Sequence, residues 1–294
     1  MLKVYHHLNA PVWSDVYKKC FLKNQKTNGA YTYSQEIVAN HIPAIEDLFE
    51  DKNVIIMTVG NPSDLKDDLS KVDFIISYLH ERLERDNQRI ENNKKLNKKI
   101  IYITSRKNVK EYLDEQNIPC IWLPMSIDSY YVKSKGIDIK NRYADRFIFF
   151  GNAYFGKRNL FNPLKEFLHS KGYKLDSICN NIYCKEGSKP VKVKRENIFK
   201  ILSYYKYGAA DGRCALEMYS LGLKVFITGP FFGGIITNEE EYKLQQSVNF
   251  AAIGEYTFSN SFEKCFENID KSLNKVLDTR EAAQILRKEL IKII

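Results

Sequence analysis

GRCALEMYSLGLKVFITGP, residues 212–230, reads as a short helix that runs directly into a buried strand. Gly212, Arg213 and Glu217 fall within its first six residues, Gly222 stands where a helix C-cap glycine belongs, and LKVFIT is an apolar run closed by Gly229-Pro230. At 100° per residue, Ala215, Met218 and Tyr219 share one side of the helix with Leu216 at its edge, while Arg213, Glu217 and Ser220 gather on the other. The apolar side is expected to pack on a sheet. The polar side is then expected at the strand ends, where open α/β sheets bind ligands, with Asp211 as the helix N-cap.

Outward from this unit the same alternation recurs. NVIIMTV (53–59), VDFIIS (72–77), KIIYIT (99–104) and PCIWLP (119–124) read as strands buried on both faces. PSDLKDDLS, a long charged helix over about 81–98, and RKNVKEYLDEQN lie between them, so these segments are expected to form one doubly wound domain. LKVYHH is a candidate first strand. TYSQEIVANHIPAIEDLFE has helical spacing with Pro43 inside it, which predicts a kinked helix or two short ones. VKSKGIDIKNRYAD (132–145) is polar and periodless and reads as a linker. A second domain then begins with the strand DRFIFF, the loop GNAYFGK, the helix NLFNPLKEFLHSK capped by Gly172, the strand YKLDSI and the helix RENIFKILSYY. The expected division is 1–135 and 136–294, the second part ending in an amphipathic tail over 262–294.

The chain has 294 residues, 44% of them hydrophobic, enough for two cores. Its net charge of +9 favours polyanionic company: nucleic acid, an anionic membrane surface or a phosphorylated small molecule. The cysteines (Cys20, Cys120, Cys179, Cys184, Cys214, Cys265) form no zinc-spaced clusters and read as reduced structural thiols. No apolar run reaches the length of a bilayer span, and the N-terminus lacks the apolar middle of a signal peptide. A cytoplasmic protein is expected, with association to a membrane surface as an option.

The helix start at 212 carries the chemistry. Free backbone N–H groups, a glycine that permits close approach and an arginine suit a diphosphate, and a glutamate one turn further in can accept two hydrogen bonds from a ribose diol. The alternative is an exposed Arg–Glu pair at i, i+4 worth a few tenths of a kcal/mol. A second loop, FIFFGNAYFGKRN (147–159), opens a strand into Gly151 and Gly156 and sets Lys157 and Arg158 just ahead of a helix. It matches neither GxxxxGK[ST] nor GxGxxG, so neither ATP hydrolysis nor standard NAD binding is favoured.

With both motifs in place, the sequence resembles the glycosyltransferases of GT-B architecture. FFGNAYFGKRN looks like the loop after the first strand of their C-terminal domain, and YGAADGRCALEMYSLGLKVFITG is similar to their GR-x-x-x-E … G-x-x-V segment. IPCIWLPMSID (118–128) resembles the exit from their N-terminal domain, and the tail REAAQILRKELIKII is similar to their last helix, which implies that it returns to the first domain. The resemblance implies an α/β fold of two Rossmann-like domains facing across a cleft, with a nucleotide-diphosphate sugar held mainly by the second. Carried over, Gly151, Lys157 or Arg158, Gly212 and Arg213 would contact the donor diphosphate and Glu217 the ribose. The sequence departs from the family in two places: HHLNAPVW stands where a glycine-rich loop follows the first strand, and Ala209 replaces the second acid of many retaining members.

Sugar transfer requires a base for the acceptor hydroxyl and positive charge for the leaving diphosphate. His80, at the end of a strand, is the first candidate base, with His6, His7 and Asp15 behind it; His41 and His169 read as helix-surface residues. KDD at 66–68 lies in a charged helix, and the resemblance implies no obligatory metal or other cofactor. The expected activity is hexose transfer from UDP-glucose or a similar donor to a surface glycan, a lipid-linked sugar or hydroxymethylated DNA, the last because small size, basic charge and tail also resemble phage DNA glucosyltransferases. A nucleotide-sugar epimerase of similar form and a non-catalytic nucleotide-binding module are the alternatives.

Overall fold

The computed structural model describes residues 2–6, 40–59, 62–64, 69–79, 83–151, 158–179, 182–229, 232–250 and 262–294. The protein is mixed α/β and divides into two compact units, residues 1–124 with 279–294, and residues 125–278. Among the described residues no helix is long and apolar enough to cross a membrane.

Strands β1 (Leu2–His6), β2 (Val54–Val59), β3 (Phe74–Leu79), β4 (Lys99–Thr104) and β5 (Cys120–Trp122) of the first unit form a five-stranded parallel sheet in the order β1-β2-β3-β4-β5. The apolar runs of β2, β3 and β4 are buried on both faces, as parallel strands require. Helix α1 (Ile42–Ile45) continues into a 3-10 turn, Glu46–Phe49. Pro43 sits in the first turn, where its missing N–H costs no hydrogen bond. Helices α2 (Leu83–Lys94) and α3 (Lys107–Glu115) contribute Ile90, Val109 and Leu113 to a cluster with Ile55, Ile75, Ile100 and Tyr102. On the other face Phe49 meets Phe74 edge-on at 5.5 Å. The C-terminal helix (Thr279–Ile291) buries Ala282, Ala283, Leu286 and Leu290, and Arg287 ties it to α1 through the Ala44 carbonyl at 2.7 Å and the Asp47 carboxylate.

Among the described residues the strands follow one another in chain order without a reversal, so no switch point lies between them, and helices stand on both faces of the sheet. One expectation for this unit changes. Helix α2 stops at Lys94 rather than Lys98, because Asn97 adopts a left-handed conformation at φ 50° that no helix continues through.

The second unit begins with α4 (Ser129–Lys135), capped by the Asp128 side chain accepting from the Tyr131 N–H. Its sheet comprises β6 (Tyr143–Phe150), β7 (Lys174–Cys179), β8 (Ile182–Cys184), β9 (Val191–Lys192), β10 (Tyr205–Ala210), β11 (Lys224–Thr228) and β12 (Phe232–Gly234), in the order β12-β11-β10-β6-β7-β8-β9. The four central strands are parallel, and the edges are antiparallel. Helices α5 (Arg158–Ser170), α6 (Arg195–Ser203), α7 (Gly212–Ser220), α8 (Glu239–Ser247) and α9 (Phe262–Glu267) cover both faces. Leu164, Leu168 and Cys265 pack with Phe147, Phe149 and Phe226 on one side. Val132, Phe199, Leu202, Leu216, Met218 and Tyr219 pack with Ile148 and Val225 on the other.

The stretch read as a linker is structured: Val132 is buried, Arg142 donates to the Leu221 carbonyl at 2.9 Å, and Tyr143–Asp145 open β6. The unit boundary accordingly falls after Pro124 and not after residue 135. Of the apolar residues in this stretch only Val132 falls within α4, too weak a periodic signal to announce a helix. Hairpin β8–β9 was likewise invisible, since its strands are two and three residues long. It is fastened by Asp176, fully buried in β7, which accepts from Arg146 Nη1 at 2.8 Å, the Tyr205 hydroxyl at 2.6 Å and the Glu186 N–H at 2.6 Å.

Candidate functional site

The seven-stranded sheet reverses its winding between β6 and β10. The chain passes from β6 to β7 in one direction across the sheet, then returns to β10 and β11 on the other side of β6. Right-handed crossovers taken in opposite directions leave their helices on opposite faces. Helix α5 accordingly packs with Phe149 and Leu175, and α7 with Ile148 and Val225. Such a switch point opens a crevice beyond the carboxyl ends of the two strands. Phe150 is in register with Ala210, so Gly151 and Asp211-Gly212 leave the sheet side by side.

Asp211 occupies the middle of this edge. Its backbone is extended in the N-cap position of α7, but its side chain makes no capping bond, contrary to the expected role. A Cβ built on Gly151 would stand 3.7 Å from Asp211 Oδ1, and one built on Gly229, after β11, would stand 2.6 Å from Oδ2. The carboxylate thus lies among the ends of three neighbouring parallel strands and is 5% exposed. The glycines leave the volume that it fills.

At the start of α7, Gly212 has φ 50°, a conformation open to glycine at little cost. Its N–H donates to the Phe250 carbonyl at 2.9 Å and is therefore committed within the protein. That carbonyl belongs to a turn ending α8 in which both Asn249 (φ 48°) and Phe250 (φ 54°) are left-handed. For a residue as bulky as Phe250 this conformation is costly. The turn holds because Phe250 is fully buried and its N–H donates to the Gln245 carbonyl at 2.8 Å.

Arg213 Nε donates to Glu217 Oε1 at 3.0 Å across one helical turn. The pair differs from both readings of the sequence. It is not a surface pair, because Glu217 is buried with its side chain 1% exposed, while Arg213 keeps 20%. Nor does the carboxylate face an open crevice. The helix side bearing Glu217 and Ser220 is closed over, and the Ser220 hydroxyl donates to the Ser129 carbonyl of α4 at 3.3 Å. Ribose access to Glu217 requires this packing to open.

Of the other site residues read from the sequence, Lys157 and His80 lie outside the described residues, as do His7 and Asp15. Arg158 is the first residue of α5 and His6 the last of β1; only their backbones are described. His169 is exposed and pairs with Glu186 at 2.9 Å. His41 is the reverse of a surface residue. It is fully buried, stacks on Tyr78, and has Nδ1 3.3 Å from the Tyr78 hydroxyl. Burial drives its pKa down to about 4, so the ring stays neutral. Among the described residues no three His, Cys, Asp or Glu side chains are grouped to hold a metal ion. Sequence reading undervalued Asp211: the acid before Gly212 reads as a helix cap, and the glycines that surround its carboxylate, Gly151 and Gly229, are distant in the chain.

Neither a scan against models of protein families nor a search of curated proteins returns a match for this chain.

Proposed function

We propose that the second unit binds a nucleoside diphosphate or its sugar at the edge where β6 and β10 end, and that the chain is a hexosyltransferase of GT-B architecture built from Rossmann-like units. The observation that carries this reading is the winding reversal that brings Gly151 and Asp211-Gly212-Arg213 together at adjacent strand ends. Arg213 supplies positive charge to a leaving diphosphate, aided by Lys157 or Arg158 from the neighbouring loop. Glu217, held against Nε, orients the guanidinium, and it reaches a ribose diol only after the cover over α7 opens. His80 is the proposed base. No obligatory metal is invoked, and the acceptor is a glycan, a lipid-linked sugar or hydroxymethylated DNA.

A second reading, a nucleotide-binding module without transfer chemistry, is favoured by the enclosure of Glu217. An epimerase would act on the sugar nucleotide alone. A thermal-shift series with UDP, ADP and UDP-glucose tests the shared premise, because a ligand specific to the folded state raises Tm by mass action. The expected result is a rise with a diphosphate that Arg213→Ala removes. A flat response to every diphosphate would overturn all three readings. Given binding, UDP release from UDP-glucose only when acceptor is present marks a transferase, NMR of the sugar nucleotide without acceptor identifies an epimerase, and inertness identifies a module.

A further inference from the structure

The first unit carries a cavity of about 220 Å³ at the end of the sheet where β4 and β5 begin, between the last turn of α2 and the loop that leaves α3. Ile90, Ile100, Ile118 and Pro119 line it together with Lys94, Lys98 and Lys99. Among the described residues no acidic residue lines it.

The hydrogen bonding of the wall is incomplete in one respect. Asn93, 2% exposed, accepts from the Ser63 N–H at 3.0 Å, which orients its amide so that Nδ2 donates to the Tyr102 hydroxyl at 3.0 Å. Tyr102, also 2% exposed, uses its oxygen as the acceptor in that bond, and its own hydroxyl proton has no acceptor among the described residues. Burial raises the Tyr102 pKa to about 12, so the proton is retained at neutral pH and is a standing donor. A buried donor left without an acceptor is costly, and a ligand oxygen would relieve that cost. The ammonium groups already hold partners: Lys98 Nζ donates to the Ser70 and Val72 carbonyls at 3.3 and 3.0 Å, and Lys99 Nζ to the Ile293 carbonyl at 2.9 Å. Lys94 Nζ pairs with Glu91 at 2.6 Å. Each ammonium carries three donors, so this anchoring fixes its place and leaves capacity for an anion.

We infer that this cavity is a binding site for a small organic oxyanion, a carboxylate or phosphate monoester on a compact apolar body, with the Tyr102 hydroxyl and the lysines on the oxyanion and the isoleucines around the body. The site lies at the opposite end of its strands from the edge where open α/β sheets carry chemistry, and it stands independently of the sugar-transfer reading.

Benzoate, phenyl phosphate and the neutral isostere benzamide test it on the full chain, by ligand-observed NMR titration and thermal shift. The expected result is saturable binding of benzoate or phenyl phosphate at millimolar concentration, with benzamide markedly weaker, and the preferred anion identifies the source of the oxyanion. Tyr102→Phe should weaken the better anion about tenfold, the size of one hydrogen bond to a charged acceptor. Ile118→Trp, at a half-buried position in the wall, should abolish binding by filling the space while the protein stays folded. Lys98→Met gives a second route should Tyr102→Phe fail to fold. The site is disproved by failure of both anions to saturate, by benzamide binding as well as benzoate, or by undiminished binding in Ile118→Trp.

Discussion

Arg213 and Glu217 form an ion pair in which the two partners differ in their access to water: the carboxylate is enclosed, and the guanidinium keeps a fifth of its surface. Loss of the two partners should therefore have unequal effects. Arg213→Ala removes the cation from a buried anion and is expected to cost on the order of 3 kcal/mol, whereas Glu217→Gln leaves a neutral acceptor beside a partly hydrated arginine and should cost about 1–2 kcal/mol. Urea unfolding of the two variants checks the order. Equal costs would mean that the enclosure of Glu217 does not govern the pair.

The close approach of Gly229 to Asp211 sets up a second comparison. Gly229→Ala would drive a Cβ to 2.6 Å from Oδ2 and 2.7 Å from the Cβ of Asp211, next to the backbone of β10. Gly208→Ala would also meet an atom at 2.6 Å, but that atom is the Met218 sulfur at the end of a flexible side chain. We expect about 1–3 kcal/mol of destabilisation for Gly229→Ala, together with loss of any diphosphate response, and a smaller effect for Gly208→Ala. Denaturation midpoints and the thermal-shift series decide it.

His41 makes the first unit sensitive to acid. Its folded pKa is about 4 against an ordinary value of 6.5, so between these values the unfolded chain binds the proton that the folded one refuses. Its stabilising contribution is complete above about pH 6.5 and is lost as pH falls through 4, up to about 3 kcal/mol. His41→Leu should flatten this part of the stability–pH profile. A wild-type profile with no fall between pH 6.5 and 4 beyond that of the variant contradicts the assignment.

The Asp176 network holds β6, β7, β10 and the β8–β9 hairpin together through one carboxylate. Asp176→Ala strands the Arg146 side chain, itself 11% exposed, and is expected to cost about 3–5 kcal/mol. Tyr205→Phe removes a single donor and should cost about 1–2 kcal/mol. Hydrogen exchange should report the loss first in the hairpin, whose two-residue edge strand has little else to hold it.

The readable parts of the fold were those written in local periodicity. KIIYIT is β4 residue for residue. The helix before Gly172 ends where a left-handed glycine allows, with the Tyr173 N–H returning to the Leu168 carbonyl at 2.9 Å. Of the candidate residues, Gly151 directly follows a strand, and Gly212, Arg213 and Glu217 lie on one helix, as the sequence predicts. It misjudged their surroundings, because a helical wheel sorts residues by polarity and carries no information on what packs against the polar side.

From the sequence alone followed the alternation of strand and helix, the identity of the buried runs and the punctuation by glycine, because each depends on residues within a few positions of one another. Only the tertiary structure decided the lateral order of the strands, hence the switch point between β6 and β10 and the unreversed order of β1 to β5 among the described residues. It alone also decided which polar groups are enclosed: Asp211 between two glycines, Asp176 on an arginine, and His41 against a tyrosine. Burial of a charge or an imidazole depends on partners distant in the chain, and no local propensity encodes them.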